Sequence, residues 1–331
     1  AERPRHPKRL LGYWKSGFHL GSGQKVVQST RHFKLTCNGR TMIKLIGVQC
    51  DISLGNCEQN LQKMLSSLKT AADRGADLVI FPECALTGYG FESREAAMEC
   101  AEPLDGPASE QMIAACQKFN LNCIYGFLEK AGESIFNCAA MVGPEGILSS
   151  YRKIHLPFVG VDRFVDYGDR PFEVHESTSL RLGMNICYDL AFPEASRVLA
   201  VAGADLIALP TNWPRGAECM TPGPVITRSM ENKVYYAAIN RIGNEAGTSY
   251  IGQSCICGPG GEILAMGSAD QEEYLEVDID VEIPRQKRVI RKAGSFELDR
   301  MADRRPEFYQ PLINPHVLET PRDRYGSSES E

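Results

Sequence analysis

The sequence is poor in several features that would place it in common classes. No apolar run approaches the roughly 18 residues a bilayer-spanning helix needs, so no membrane partner is expected. The twelve cysteines include no CxxC pair, and the six histidines show no ligand spacing. Cys255 and Cys257 form a CxC, but on an alternating strand they share a face with no histidine near them. That pattern argues against a metal centre and for reduced thiols in a cytoplasmic compartment. The net charge of −6 gives no broad basic surface for nucleic acid or anionic lipid. What remains, at 43% hydrophobic and 24% charged residues over 331 positions, is a soluble globular chain with room for one large domain or two ordinary ones.

The first 41 residues differ from the rest. They hold nine Lys or Arg against Glu2 alone and lack hydrophobic periodicity, and Met42 directly precedes the first clear strand. Residues 1–41 therefore read as a basic extension outside the fold, from a start placed too early, with a basic, acid-poor transit peptide as the alternative. From Ile43 the chain alternates. IKLIGVQCD (43–51) reads as a strand, Asn60–Arg74 as an amphipathic helix, and 76–81 as a fully apolar strand. Residues 136–153 form a hairpin turning at Gly143–Gly146, 180–186 a strand, 194–202 a helix, 204–210 a strand and 234–243 another. Strands interleaved with helices and hairpins indicate an α/β sandwich with mixed sheets. GADLVIFPE (75–83) and GADLIALPT (203–211) are nearly the same nonapeptide, each following a helix, which suggests two related halves. Past residue 312 the chain reads as a tail, 313–331, whose last ten residues are expected to be disordered.

Three polar residues end strands or hairpins where a bland position would be apolar. Glu83 closes LVIFPE, Lys153 closes SSYRK and Cys187 closes LGMNIC. Strand carboxyl ends are where α/β sites assemble. A cysteine just ahead of a helix N-terminus is expected to favour thiolate. A glutamate base, a cysteine nucleophile and a lysine cation together suffice for acyl transfer. Each alone reads more simply as a solvated Glu, a surface Lys and a core Cys.

Four longer motifs carry a resemblance: VIFPECALTGY (79–89), GILSSYRKIHLP (146–157), NICYDLAFPEASR (185–197) and ADLIALPTNWP (204–214). Over Ile43–Leu312 the chain resembles a carbon–nitrogen hydrolase of the nitrilase superfamily. The resemblance implies a four-layer α-β-β-α sandwich over a domain at 42–312. It implies a Glu83–Lys153–Cys187 triad, a covalent thioester, no metal or cofactor, and a homodimer or higher homo-oligomer whose C-terminal arm (303–312) reaches a partner copy. Many members carry a second glutamate shortly after the lysine; here IHLPFVGVDRF contains none, which leaves Asp162, one methylene shorter, or a water in that role. Tyr188 is expected to lend its backbone N–H to the oxyanion, and Asn212 and Trp213 to wall the pocket. Trp213 reads equally well as a packing residue. Nitrile-hydrolysing members usually show Cys-Trp-Glu, whereas Cys187-Tyr188-Asp189 looks like the amidase and carbamoyl-amidase branches. The expected substrate is thus a small linear amide, releasing ammonia or amine. An N-carbamoyl amine or amino acid comes next and a nitrile third. An inactive relative acting as a binding module is the reading from a different class.

Overall fold

The computed structural model describes residues 41–177 and 180–325. The basic extension, Thr41 apart, lies outside the described residues, as does 326–331. Two six-stranded mixed sheets form the centre. In the first, β1 (Met42–Gln49), β2 (Leu78–Ile80) and β3 (Asn122–Ala131) run parallel, and β4 (Ser134–Gly143) and β5 (Gly146–Arg152) continue antiparallel. The strand Glu273–Asp280 pairs antiparallel with the free edge of β1. The second sheet holds β6 (Val174–Ser177), then β7 (Leu180–Met184), β8 (Leu206–Pro210) and β9 (Tyr235–Ile239). Here β7, β8 and β9 are the parallel core, extended by the antiparallel strands Cys255–Cys257 and Ile263–Met266.

Helices cover the outer faces. α1 (Cys57–Asp73) is started by Asn56, whose side chain accepts from the Gln59 N–H, and it turns Leu61, Met64, Leu68 and Ala71 inward at helical spacing. After α2 (Arg94–Glu99), α3 (Pro107–Phe119) opens on a proline and buries Met112 and Cys116 in the same core as Val79, Phe81 and Tyr125. On the second sheet lie α4 (Pro193–Val201) and α5 (Gly223–Asn232). Leu199 of α4 sits so close to Gly183 of β7 that an added Cβ would fall 2.9 Å from its Cδ2. Between the sheets, a Cβ on Gly47 of β1 would lie 2.2 Å from Cδ1 of Ile239 on β9, so this glycine sets how closely the sheets approach. The result is the expected helix–sheet–sheet–helix order. Among the described residues, no helix is long and apolar enough to cross a membrane.

The repeated nonapeptide occupies equivalent places. β2 lies between β1 and β3, and β8 between β7 and β9. Asp77 accepts the Lys44 N–H through its carboxylate and donates its own N–H to the Lys44 carbonyl. Asp205 does both with Arg181. Two sequence readings are corrected. β9 stops at Ile239 rather than 243, because Asn240 and Arg241 turn out of the sheet to bond the backbone at Trp213 and Ile52. The helix expected at 194–202 is present as Pro193–Val201, but Cys187 does not sit directly ahead of its N-terminus, because residues Cys187–Ala191 form a 3₁₀ turn between them.

Candidate active site

Glu83, Lys153 and Cys187 each leave the end of a strand, β2, β5 and β7 respectively, and the fold brings them together. Gly126 of β3 makes room: a Cβ there would sit 2.3 Å from the Cys84 nitrogen and 2.7 Å from the Glu83 Cα. Cys84 and Cys187 both hold left-handed backbone, φ +47° and +45°, a conformation that costs non-glycine residues on the order of 1–3 kcal/mol and persists only where surroundings enforce it. At Cys187 the enforcement comes from buried Asp189. Its Oδ2 accepts the Ile186 N–H and the Tyr151 hydroxyl, both at 2.8 Å, and its Oδ1 lies 2.7 Å from His155 Nδ1.

Around Lys153 a closed network forms. Its Nζ donates to Glu83 Oε1 at 2.7 Å and to Asp162 Oδ2 at 2.5 Å, with all three side chains fully buried. Asn137 donates one N–H to Glu83 Oε1 at 2.7 Å and another to Asp162 Oδ1 at 2.8 Å. The Tyr89 hydroxyl lies 2.9 Å from Asp162 Oδ2. The carboxylate of Asp162 therefore reaches Lys153 directly, without an intervening water. One atom is left over: Glu83 Oε2 is buried and has no hydrogen-bond partner among the described residues.

Protonation follows from this burial. Desolvation pushes the Cys187 thiol up to about 12, with the negative Glu83 adding to the effect. Lys153, the Thr211 hydroxyl and the Asn212 backbone N–H pull the other way and are outweighed. This overturns the expectation of a resting thiolate, since a short 3₁₀ turn does not offset full burial. Burial likewise raises Glu83 above the ordinary carboxylate range, and Lys153 only partly opposes it. Burial alone would lower Lys153, but Asp162 and Glu83 hold it well above its usual value, hence charged.

A cavity of about 320 Å³ opens onto Cys187. Tyr89, Val159, Tyr188, Trp213, Met220 and Tyr250 give it mostly apolar walls. Asn212 and Trp213, expected as walls, both line it and are 2% exposed. Neither amide atom of Asn212 nor the Trp213 Nε1 finds a partner among the described residues, an arrangement that points to a polar ligand. Tyr188 lies at the cavity and is part-exposed. The sequence reading did not single out Asn137 or Tyr89. A lone Asn in the apolar strand IFNCAAMV was the available signal for the first, and the Tyr ending VIFPECALTGY for the second.

Comparison with known proteins gives the family and the fold. The carbon–nitrogen hydrolase family profile matches residues 47–288. A nitrilase of Pyrococcus abyssi is 36% identical over 81% of this chain and 99% of its own length. An omega-amidase of Homo sapiens is 30% identical over 77% of this chain and 96% of its own. Among solved structures, an amidase from Nesterenkonia sp. superposes with a TM-score of 0.67 at 22% identity, over 82% of this chain and 96% of that one, which shows a shared fold. One mutant of that amidase carries the acetamide moiety of fluoroacetamide covalently on its active-site cysteine. Another is in complex with butyramide.

Proposed function

The chain belongs to the carbon–nitrogen hydrolase family, and from that premise we propose that it hydrolyses small linear amides with an uncharged acyl group through a thioester on Cys187. The carrying observation is the free Oε2 of Glu83, buried within electrostatic reach of a thiol that rests protonated. As Cys187 Sγ bonds to the amide carbonyl carbon, its proton passes to Glu83. The carbonyl electrons move onto oxygen. Two of the three Lys153 donors are engaged, so the third serves the oxyanion with the Tyr188 backbone N–H. Glu83 returns the proton to the departing nitrogen, the C–N bond breaks, and ammonia or amine leaves. Water then adds to the thioester while Glu83 takes its proton. The acid departs and the thiol regains its hydrogen. Asp162 fills the place of the second acid by fixing Lys153.

The acyl group is assigned from the cavity. Its apolar walls penalise a charge that would have to shed water. The buried carboxylates nearby, Glu83, Asp162 and Glu245, outnumber the cations Lys153 and Arg241, so a carboxylate tail would also be repelled. Asn212 offers its amide N–H donors and its amide oxygen as acceptor to a neutral polar group.

The test is ammonia release from butyramide, a carboxylate-bearing amide of equal length, N-carbamoyl compounds and nitriles, with intact-mass detection of the adduct on Cys187. Butyramide should exceed its carboxylate analogue by at least about tenfold in kcat/KM, on the scale of one lost or uncompensated charge contact. Turnover surviving in Cys187→Ala overturns the mechanism, and a preference for the carboxylate analogue overturns the acyl assignment. A carbamoyl rather than acyl mass on Cys187 would move the substrate to the carbamoyl class.

A further inference from the structure

Beyond Asp280 the chain leaves the two six-stranded sheets, and every residue from 305 to 319 is exposed. The exposure then reverses. Thr320 and Arg322 are half-buried, the first just ahead of and the second on a short helix, Pro321–Tyr325, whose start is closed by reciprocal bonds. The Asp323 carboxylate accepts the Thr320 N–H at 2.8 Å, and the Thr320 hydroxyl accepts the Asp323 N–H at 3.1 Å. Of the last ten residues, expected to be disordered, those up to Tyr325 are thus docked.

They dock on the loop that carries Asp162. The Arg322 guanidinium donates to the Val165 carbonyl at 2.8 Å and to the carbonyl of Asp162 itself. It also lies over the Tyr167 ring at 4.8 Å, and the Tyr325 ring sits 5.8 Å from Phe158. Arg94 takes the Phe164 carbonyl between them at 2.5 Å. Residues 160–163 form a single 3₁₀ turn, whose terminal carbonyls have no partner within the turn. A planar guanidinium can span the Asp162 carbonyl at the turn's end and the Val165 carbonyl just beyond it, and so fix the turn, where an ammonium offers a single point. The same loop supplies Pro157, Val159 and Gly160 to the cavity.

We propose that Thr320–Tyr325 is a strap that holds Asp162 in place against Lys153, with Arg322 as its positioning residue. Arg322 lies outside the family-matched region, and it touches neither substrate nor reacting atoms. It acts on the backbone of the residue that orients the lysine. The inference rests on the proposed role of Asp162 in holding Lys153.

The test uses the full chain with Arg322→Ala, Arg322→Lys and Asp162→Asn, read by butyramide kinetics and by hydrogen exchange of peptides covering 158–167. Arg322→Ala should raise exchange there at least about tenfold and lower kcat about tenfold, the scale of a sub-ångström misplacement. Arg322→Lys should recover part of both. Added to Asp162→Asn, Arg322→Ala should cost little more, because the two act through one contact. Unchanged exchange overturns the strap. Raised exchange with unchanged kcat, or full additivity with Asp162→Asn, overturns the positioning role. If Cys187→Ala keeps its activity, the catalytic reading is what fails, and the exchange arm still decides whether the strap exists.

Discussion

The two halves of the molecule share a frame and divide the chemistry between them. β2 and β8 begin alike, with Asp77 and Asp205 clamping the neighbouring parallel strand. They end differently. The first half delivers the charges, Glu83 from β2 and Lys153 with Asp162 from the far edge of its sheet. The second half delivers the proposed nucleophile and neutral polar groups, Cys187 from the end of β7 and Thr211, Asn212 and Trp213 from the end of β8. On the proposed mechanism this difference keeps the base, Glu83, protonatable. The cation that charges the site is held on the base's own side, while the thiol is met by hydroxyl and amide groups that do not compete for its proton.

The sharpest break of this comparison is at its equivalent ends. Glu83→Gln should lower turnover about 10³-fold, the scale of losing a general acid–base. Thr211→Val, at the matching position of β8, should cost about fivefold, one ordinary hydrogen bond. Steady-state kinetics on both variants checks this, and equal losses would erase the division of labour. At the matching beginnings the effect is on stability. Asp205 is buried and also receives Arg181 and Arg285, so Asp205→Asn should cost about 2–3 kcal/mol, discounted because both arginines are about a third exposed. Asp77→Asn, where only a backbone N–H is given up, should cost about 1 kcal/mol.

Urea denaturation across pH sharpens the stability difference. Burial alone would raise the Asp205 carboxyl, but hydrogen bonds from Arg181 and Arg285 outweigh it and hold it below the usual range. Its contribution is therefore complete above its unfolded-state value, near 3.8, and is lost as pH falls through its lower folded-state value. The gap between wild type and Asp205→Asn should close on acidification. Next in size, Asp162→Asn should lower kcat more than tenfold through the loosened lysine. An unchanged rate would mark Asp162 as a loop residue.

The mildest effect is on the pH profile. Glu83 must be ionised to accept the thiol proton, and its proton affinity is raised, so kcat/KM should fall on the acid side from above 4.5. With Cys187 near 12 and Lys153 raised, no loss is expected on the alkaline side up to the ordinary lysine range. A profile with its acid limb below 4.5 would contradict the burial of Glu83.

The sequence made the strand frame and the three strand-end residues legible because each is a polar group interrupting an apolar run. Asp162 was visible only as the nearest carboxylate to a missing glutamate. Asn137 and Tyr89 were hidden because they lie within motifs or strands whose other residues have packing roles. The protonation of Cys187 was misread because position along a chain reveals a helix terminus but not the loss of water around a side chain. The Arg322 contact joins backbone 160 residues away, a separation at which no local pattern survives.

The resting state of Cys187 bears on how this protein meets reactive small molecules. A buried neutral thiol is a poor target for peroxides and for alkylating agents that consume thiolate. Cys219, exposed at the rim of the same cavity, meets such reagents first. Labelling stoichiometry with a generic thiol reagent will therefore report the rim. On the proposed mechanism a selective inhibitor instead carries an electrophilic carbon that Cys187 reaches only as Glu83 withdraws the hydrogen, so the latency of that thiol acts as a filter on what can poison it.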